Sequence, residues 1–167
     1  MLIILEGCDG SGKSTLAVEI AKQSNGIVIH ATYNKNWNVY RYHEELYNHA
    51  LQLEKICGTV VMDRFCISEY VYGTIYRDGP SYDVFAAQKD VTATWVFCTN
   101  ENVGSNHETN KKKRYEMFTD KMDEVNGLFS KVVLRQVRDG VVDWKIYDYD
   151  KVSKEEFTKE LLNDRRQ

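Results

Sequence analysis

Apolar positions in this chain come in short runs separated by longer stretches in which they recur every three or four residues. The run at 2–6 predicts a buried strand. A glycine-rich stretch at 7–12 follows, then a helical pattern over 13–24 in which Leu16, Ile20 and Ala21 share a face. Asn25-Gly26 stops that helix. A second strand is expected at 27–31 and a polar loop at 34–38. A helix follows at 39–57, with Tyr42, Leu46, Ala50 and Leu53 along one side, and Gly58 ends it. Strands at 59–62 and 94–98 bracket helices at 67–76 and 82–91, with Asp78-Gly79-Pro80 as a turn between the helices. Residues 99–110 are polar and predict a loop; helical periodicity returns over 111–129. The runs 132–137 and 141–147 flank Asp139-Gly140, which predicts a β-hairpin. Ser153, with Glu156 three residues on, forms a capping box that opens a last helix.

Strands alternating with helices predict an α/β fold, a doubly wound parallel sheet with helices on both faces and right-handed crossovers. Ligands of such sheets sit at the C-terminal strand edge. The chain has one proline and neither a repeat nor a linker, so a single domain over 1–167 is expected, with a lid at about 99–114. The net charge of -3 argues against duplex nucleic acid and anionic membranes as partners. No apolar run approaches the roughly 20 residues that span a bilayer. The N-terminal run is too short for a signal peptide. The cysteines (Cys8, Cys57, Cys66 and Cys98) lack metal-ligand spacing and read as free thiols of a reducing cytoplasm.

Candidate chemistry begins at Gly7-Cys8-Asp9-Gly10-Ser11-Gly12-Lys13-Ser14, which fits G-x-x-x-x-G-K-[ST] without a mismatch, strand before and helix after. A phosphate chain needs several donors converging on it. Backbone N–H groups of such a loop turn inward, and the helix N-terminus adds partial positive charge. Gly7, Gly10, Ser11, Gly12, Lys13, Ser14 and Thr15 are therefore the candidate ATP-binding residues, Lys13 reaching the terminal phosphates and Ser14 ligating Mg²⁺. A second motif, Asp63-Arg64 at the end of the strand at 59–62, adds a candidate Mg²⁺ carboxylate and a planar fork suited to phosphate. Taken alone, the pair reads equally well as a structural ion pair.

Together these segments resemble thymidylate kinases. Residues 5–15 resemble the family's phosphate loop, Asp63-Arg64-Phe65 with Ser68 resembles its D-R-[YFH]-x-x-S motif, and Lys113-Arg114-Tyr115-Glu116 resembles its lid-to-helix junction. The segment 63–77 is also similar to shorter phage-type deoxynucleoside monophosphate kinases. The resemblance implies ATP- and Mg²⁺-dependent transfer to a deoxynucleoside 5′-monophosphate, dTMP favoured, dGMP or another dNMP open. It implies that Asp9 accepts from the sugar 3′-OH, Arg64 holds the acceptor phosphate, and Ser68 and Glu69 lie near the base. Tyr72 would fill the space of a ribose 2′-OH. A homodimer is also implied.

Three departures matter. No F-P or E-P-G motif follows His30, so base stacking falls to Trp37, Tyr40 or Tyr42, which read equally as core or surface aromatics. Glu69 replaces a neutral polar residue, which leaves base choice open between thymine and guanine. Position 10 is glycine rather than arginine, as in members that carry the catalytic cation in the lid. Arg114 is then the first candidate and Lys111 the second, within a charge run that also reads as a solvated face. The rival readings are a deoxynucleoside kinase, with Glu6 or Glu69 as base, a regulatory ATPase, and a small-molecule or polynucleotide kinase.

Overall fold

The computed structural model describes residues 1–100 and 121–164. Of the expected lid, residues 101–114 lie outside the described residues, and with them Lys111 and Arg114.

The chain runs β1 (Leu2–Glu6), α1 (Lys13–Ser24), β2 (Ile27–His30), α2 (Val39–Cys57), β3 (Val60–Asp63), α3 (Cys66–Tyr76), α4 (Val84–Lys89) and β4 (Thr94–Thr99). After the interval come α5 (Met122–Arg138), β5 (Trp144–Asp148) and α6 (Lys154–Asn163). The strands form one five-stranded sheet in the order β2-β3-β1-β4-β5. Every pairing is parallel. β1 leads leftward to β2 and β4 rightward to β5. The order therefore reverses between β1 and β4, where sheets of this kind open a crevice.

Two-residue alternation splits the strand side chains between two cores. Ile4, Met62, Trp95 and Phe97 pack with α2, α3, α4 and α5 through Ala50, Ile67, Val71, Val84 and Phe129. Ile3, Leu5, Val61 and Val96 pack with α1 and α6 through Leu16, Ile20, Phe157 and Leu161. β1 and β3 are buried on both faces, which is why they read as continuous apolar runs. α2 spans the expected residues, capped by Asn38, whose side chain accepts from Arg41 N–H at 3.0 Å. Ser153 caps α6, its Oγ accepting from Glu156 N–H at 3.2 Å. All four cysteines are free thiols.

The hairpin about Asp139-Gly140 does not form. α5 continues through Arg138, and β5 lies parallel to β4 at the sheet edge. The buried positions Val125, Phe129, Val132, Val133 and Gln136 follow a helical period. Asp139-Gly140 is instead the helix C-cap. Gly140 adopts φ 63°, its N–H donates to Val137 O, and Val141 N–H reaches back to Gln136 O. These two bonds are the Schellman pattern. The buried Gln136 side chain exchanges hydrogen bonds with Gln88 and accepts from Trp144 Nε1 at 2.8 Å, which locks α5 to α4 and β5.

Candidate active site

The glycine-rich loop leaves β1 at the crevice. Gly7 lies so close to β4 that a Cβ there would come within 2.2 Å of Cys98 O, and its φ of 146° is one L side chains rarely adopt. Lys13 is buried at the start of α1. Its Nζ donates to Cys8 O at 2.5 Å and to Ser11 Oγ at 3.3 Å. Burial and the neighbouring Arg64 charge lower its pKa, and Asp63 and Asp9 oppose that. Tyr149, from the segment after β5, donates its hydroxyl to Gly10 O at 3.3 Å and so braces the loop from the far side.

At the end of β3, Asp63 Oδ2 accepts from Ser14 Oγ at 2.6 Å, and His30 Nδ1 lies 3.2 Å from the same oxygen. Register explains the second contact, since β2 and β3 pair His30 with Asp63. Burial raises the Asp63 pKa, but hydrogen bonds from His30 and Ser14 and the charges of Lys13 and Arg64 outweigh it and hold the carboxyl at about 2. Asp63 Oδ1 is buried without a hydrogen-bond partner. An ionised carboxylate with an orphaned oxygen beside a hydroxyl is a donor set that suits a hard divalent cation. Among the described residues no group of three or more His, Cys, Asp or Glu could hold a metal. A cation here would complete its shell with phosphate and water oxygens.

Arg64 turns the chain out of β3 with φ 76°, its N–H donating to Leu5 O at 2.9 Å. Its guanidinium donates to Asp9 Oδ1, to Gly7 O at 3.3 Å and to Ser68 Oγ at 3.4 Å, and lies 5.0 Å from the Tyr72 ring centre. Tyr72 in turn donates to Asp9 Oδ2 at 3.4 Å. Burial disfavours the guanidinium charge, but Tyr72, Asp9 and Asp63 overcome that and raise the Arg64 pKa. Beneath this cluster Glu6 is fully buried. Its oxygens accept from the N–H groups of Phe65, Ile67 and Ser68 and from the Ser68 hydroxyl, capping α3 from a neighbouring strand. Burial raises the Glu6 pKa against the lowering effect of those bonds.

Asp9, Arg64, Ser68, Glu69 and Tyr72 all line one cavity of about 540 Å³, closed on the other side by the β2–α2 segment. Of the three aromatic candidates, Trp37 and Tyr42 line it, with ring centres 5.0 Å apart, whereas Tyr40 packs on Tyr82 outside it. Glu69 accepts from Arg77 Nη2 at 2.7 Å and from Ser81 N–H at 2.8 Å. Sequence reasoning missed His30, Tyr33, His43 and Arg77, which also line the cavity. Helical spacing puts His43 on the inner side of α2. Arg77 reaches Glu69 only because the turn after α3 folds back, Arg77 and Gly79 N–H both donating to Gly73 O. No local pattern encodes that.

No protein-family model matches the chain. It is 30% identical over 93 residues to a protein of Acidianus bottle-shaped virus (isolate Italy/Pozzuoli) provisionally named a thymidylate kinase, a match that covers 51% of this chain and 55% of that one. The match thus spans about half the length of the viral protein. Among solved structures, the YorR protein of Bacillus subtilis, in complex with phosphorylated GDP, superposes with a TM-score of 0.74 at 18% identity, covering 99% of this chain and 96% of that one. Deoxyadenosine kinase of M. mycoides gives 0.65 at 15%, covering 99% of each chain. Thymidylate kinase of Candida albicans gives 0.60 at 15%, covering 99% of this chain and 90% of that one. In phosphate loop, strand-end Asp-Arg pair and fold, the chain is thymidylate kinase-like.

Proposed function

We propose that this chain transfers the γ-phosphate of ATP to the 5′-phosphate of a deoxynucleoside monophosphate, dTMP favoured and dGMP or another dNMP open, giving the dNDP and ADP. One observation carries the reading. The Arg64 guanidinium is shared between the phosphate loop, through Gly7 O and Asp9, and the nucleoside-sized cavity beside it. A cation at that junction can hold an acceptor phosphate end to end with a donor phosphate. The viral relative's name favours thymine, and the YorR complex supports a guanine nucleotide.

Phosphoryl transfer asks the protein for alignment and charge neutralisation rather than covalent chemistry. Loop N–H groups and Lys13 would cradle the β- and γ-phosphates of ATP. Ser14 and Asp63 would hold Mg²⁺, which supplies neutralisation of the phosphate oxygens. Arg64 would orient the acceptor oxygen, Asp9 would accept from the 3′-OH once the sugar displaces part of its pairing, and Tyr72 would exclude a 2′-OH. Arg114, with Lys111 second, would bring the lid cation. No general base is required, because an acceptor phosphate is already anionic. A deoxynucleoside kinase would use one for its 5′-hydroxyl, yet the Glu6 oxygens cap α3 and those of Glu69 hold Arg77 and Ser81. That supports the monophosphate over the nucleoside. An ADP-release assay with ATP against dNMPs, NMPs and nucleosides tests the reading. ADP formed at the same rate with and without any dNMP would sink it.

A further inference from the structure

Three consecutive residues from the end of β1 hold the turn that carries Arg64. Leu5 O accepts from Arg64 N–H at 2.9 Å, Gly7 O accepts from Arg64 Nη1 at 3.3 Å, and the Glu6 side chain between them reaches the start of α3. Glu6 is fully buried, and four donors converge on it: Phe65 N–H at 3.1 Å, Ile67 N–H at 2.9 Å, Ser68 N–H at 3.2 Å and the Ser68 hydroxyl. Burial opposes the Glu6 charge, while the Ser68 and Ile67 donors and the Arg64 cation favour it. A carboxylate has no proton to give, so the Ser68 hydroxyl commits its single proton to Glu6 and keeps its lone pairs for other donors. Arg64 Nη1 donates to that oxygen at 3.4 Å. The bonds run in one direction, Arg64 to Ser68 to Glu6, so each polarises the next.

We propose that Glu6 and Ser68 are positioning residues for the acceptor phosphate: the Glu6 carboxylate sets the sense of the Ser68 hydroxyl, and that hydroxyl holds one arm of the Arg64 fork. This rests on the monophosphate kinase reading above, in which Arg64 orients the acceptor oxygen. The other arm, Nη2, goes to Asp9. A guanidinium is planar, so holding its two arms separately fixes its plane. Without the Ser68 hydroxyl, Nη1 keeps only Gly7 O, and the fork can tilt about its bond to Asp9. Replacing the Glu6 carboxylate by an amide has a similar effect from further away. An amide nitrogen facing Ser68 is a donor, so the hydroxyl must accept from it and turn its own proton towards Arg64, where donor meets donor.

The test is a double-mutant cycle with Arg64, read by kcat with saturating ATP and Mg²⁺, by titration calorimetry of ATP and of each dNMP, and by the thermal midpoint. Ser68→Ala should lower kcat by about 10-fold or more, since a misplacement of about 1 Å can cost about 100-fold. It should weaken dNMP binding several fold and leave ATP binding unchanged. Glu6→Gln should do the same, and Ser68→Thr, which keeps the hydroxyl, should restore activity. In an Arg64→Ala background, adding Ser68→Ala should weaken dNMP binding no further, because the fork it holds is gone. A merely structural role would lower ATP binding and the midpoint as well, and its effect would add to that of Arg64→Ala. Should Glu6→Gln not fold, Ser68→Ala, which removes one hydroxyl, carries the test. A folded Ser68→Ala with wild-type kcat, or an equal weakening of dNMP binding with and without Arg64, overturns the positioning role while leaving the kinase reading intact. A wild-type chain that neither binds nor phosphorylates any dNMP overturns both.

Discussion

Arg64 adopts φ 76°, a left-handed conformation that costs a residue with a Cβ about 1 kcal/mol or more. The surrounding structure tolerates that cost where the guanidinium meets the phosphate loop, the kind of site at which strain is concentrated. Arg64→Ala should abolish transfer to dNMP while ATP binding stays within a few fold, because the loop N–H groups and Lys13, rather than the guanidinium, would cradle the donor phosphates. Arg64→Gly should be as inactive but about 1 kcal/mol more stable than Arg64→Ala in urea unfolding. Equal stability would show that the backbone there is not strained. His43 gives a pH prediction. Burial against Phe65 and Tyr82, only partly opposed by Glu69, lowers its pKa to about 4, and its Nδ1 is 2.6 Å from Tyr82 Oη. Protonation therefore favours the unfolded chain. The contribution is present above the unfolded value of about 6.5 and is lost as pH falls from there towards 4, up to roughly 3 kcal/mol. Wild type should lose more stability between pH 7 and pH 4.5 than His43→Gln does; equal losses would mean that the ring is charged in the fold.

The helix α5 shows how one dipeptide serves two elements. Asp-Gly between apolar runs is a strong hairpin signal, yet here it closes a helix whose valines keep a helical period. Gly140→Ala should cost about 1 kcal/mol, since φ 63° is needed for the bond from Val141 N–H back to Gln136 O. A cost near zero in thermal or urea unfolding would mean that the cap is dispensable. α3 forms one wall of the cavity, and its N-terminus is fixed by Glu6 rather than by a residue of its own sequence. The orphan N–H groups of a helix start donate to any well-placed carboxylate. That is why a strand residue could take the role and why no local capping signal marks it.

At the scale of the molecule, Ser14 on α1 and Asp63 on β3 join the two halves of the phosphate site across the sheet order. ATP with Mg²⁺ should therefore stabilise the fold, by about 2.7 kcal/mol at a concentration 100 times its Kd. EDTA should remove much of the thermal shift. Asp63→Asn should do the same, since the amide nitrogen replaces an anionic oxygen at the cation. A shift unaffected by either would exclude Asp63 as a metal ligand. Adding dNMP should raise the midpoint further, since the cavity lies against the same Asp9 and Arg64.

Residues 2–15 were legible as strand, loop and helix because their chemistry is local: an apolar run, glycines where backbone must turn, and a lysine at a helix start. Asp63 and Arg64 were legible as a charged pair ending one strand, whereas Ser68, Glu69 and Tyr72 were tied to a nucleotide only by the resemblance to thymidylate kinases. The parallel sheet followed from alternation of the two periods. What only the tertiary structure decided lies across segments. His30 meets Asp63 through strand register, Glu6 caps α3 from β1, and Arg77 turns back onto Glu69 beneath Tyr33. It also decided that Asp139-Gly140 ends a helix. Periodicity and turn chemistry report on neighbours along the chain, whereas a buried charge takes its partner from whatever element the fold brings within hydrogen-bond reach.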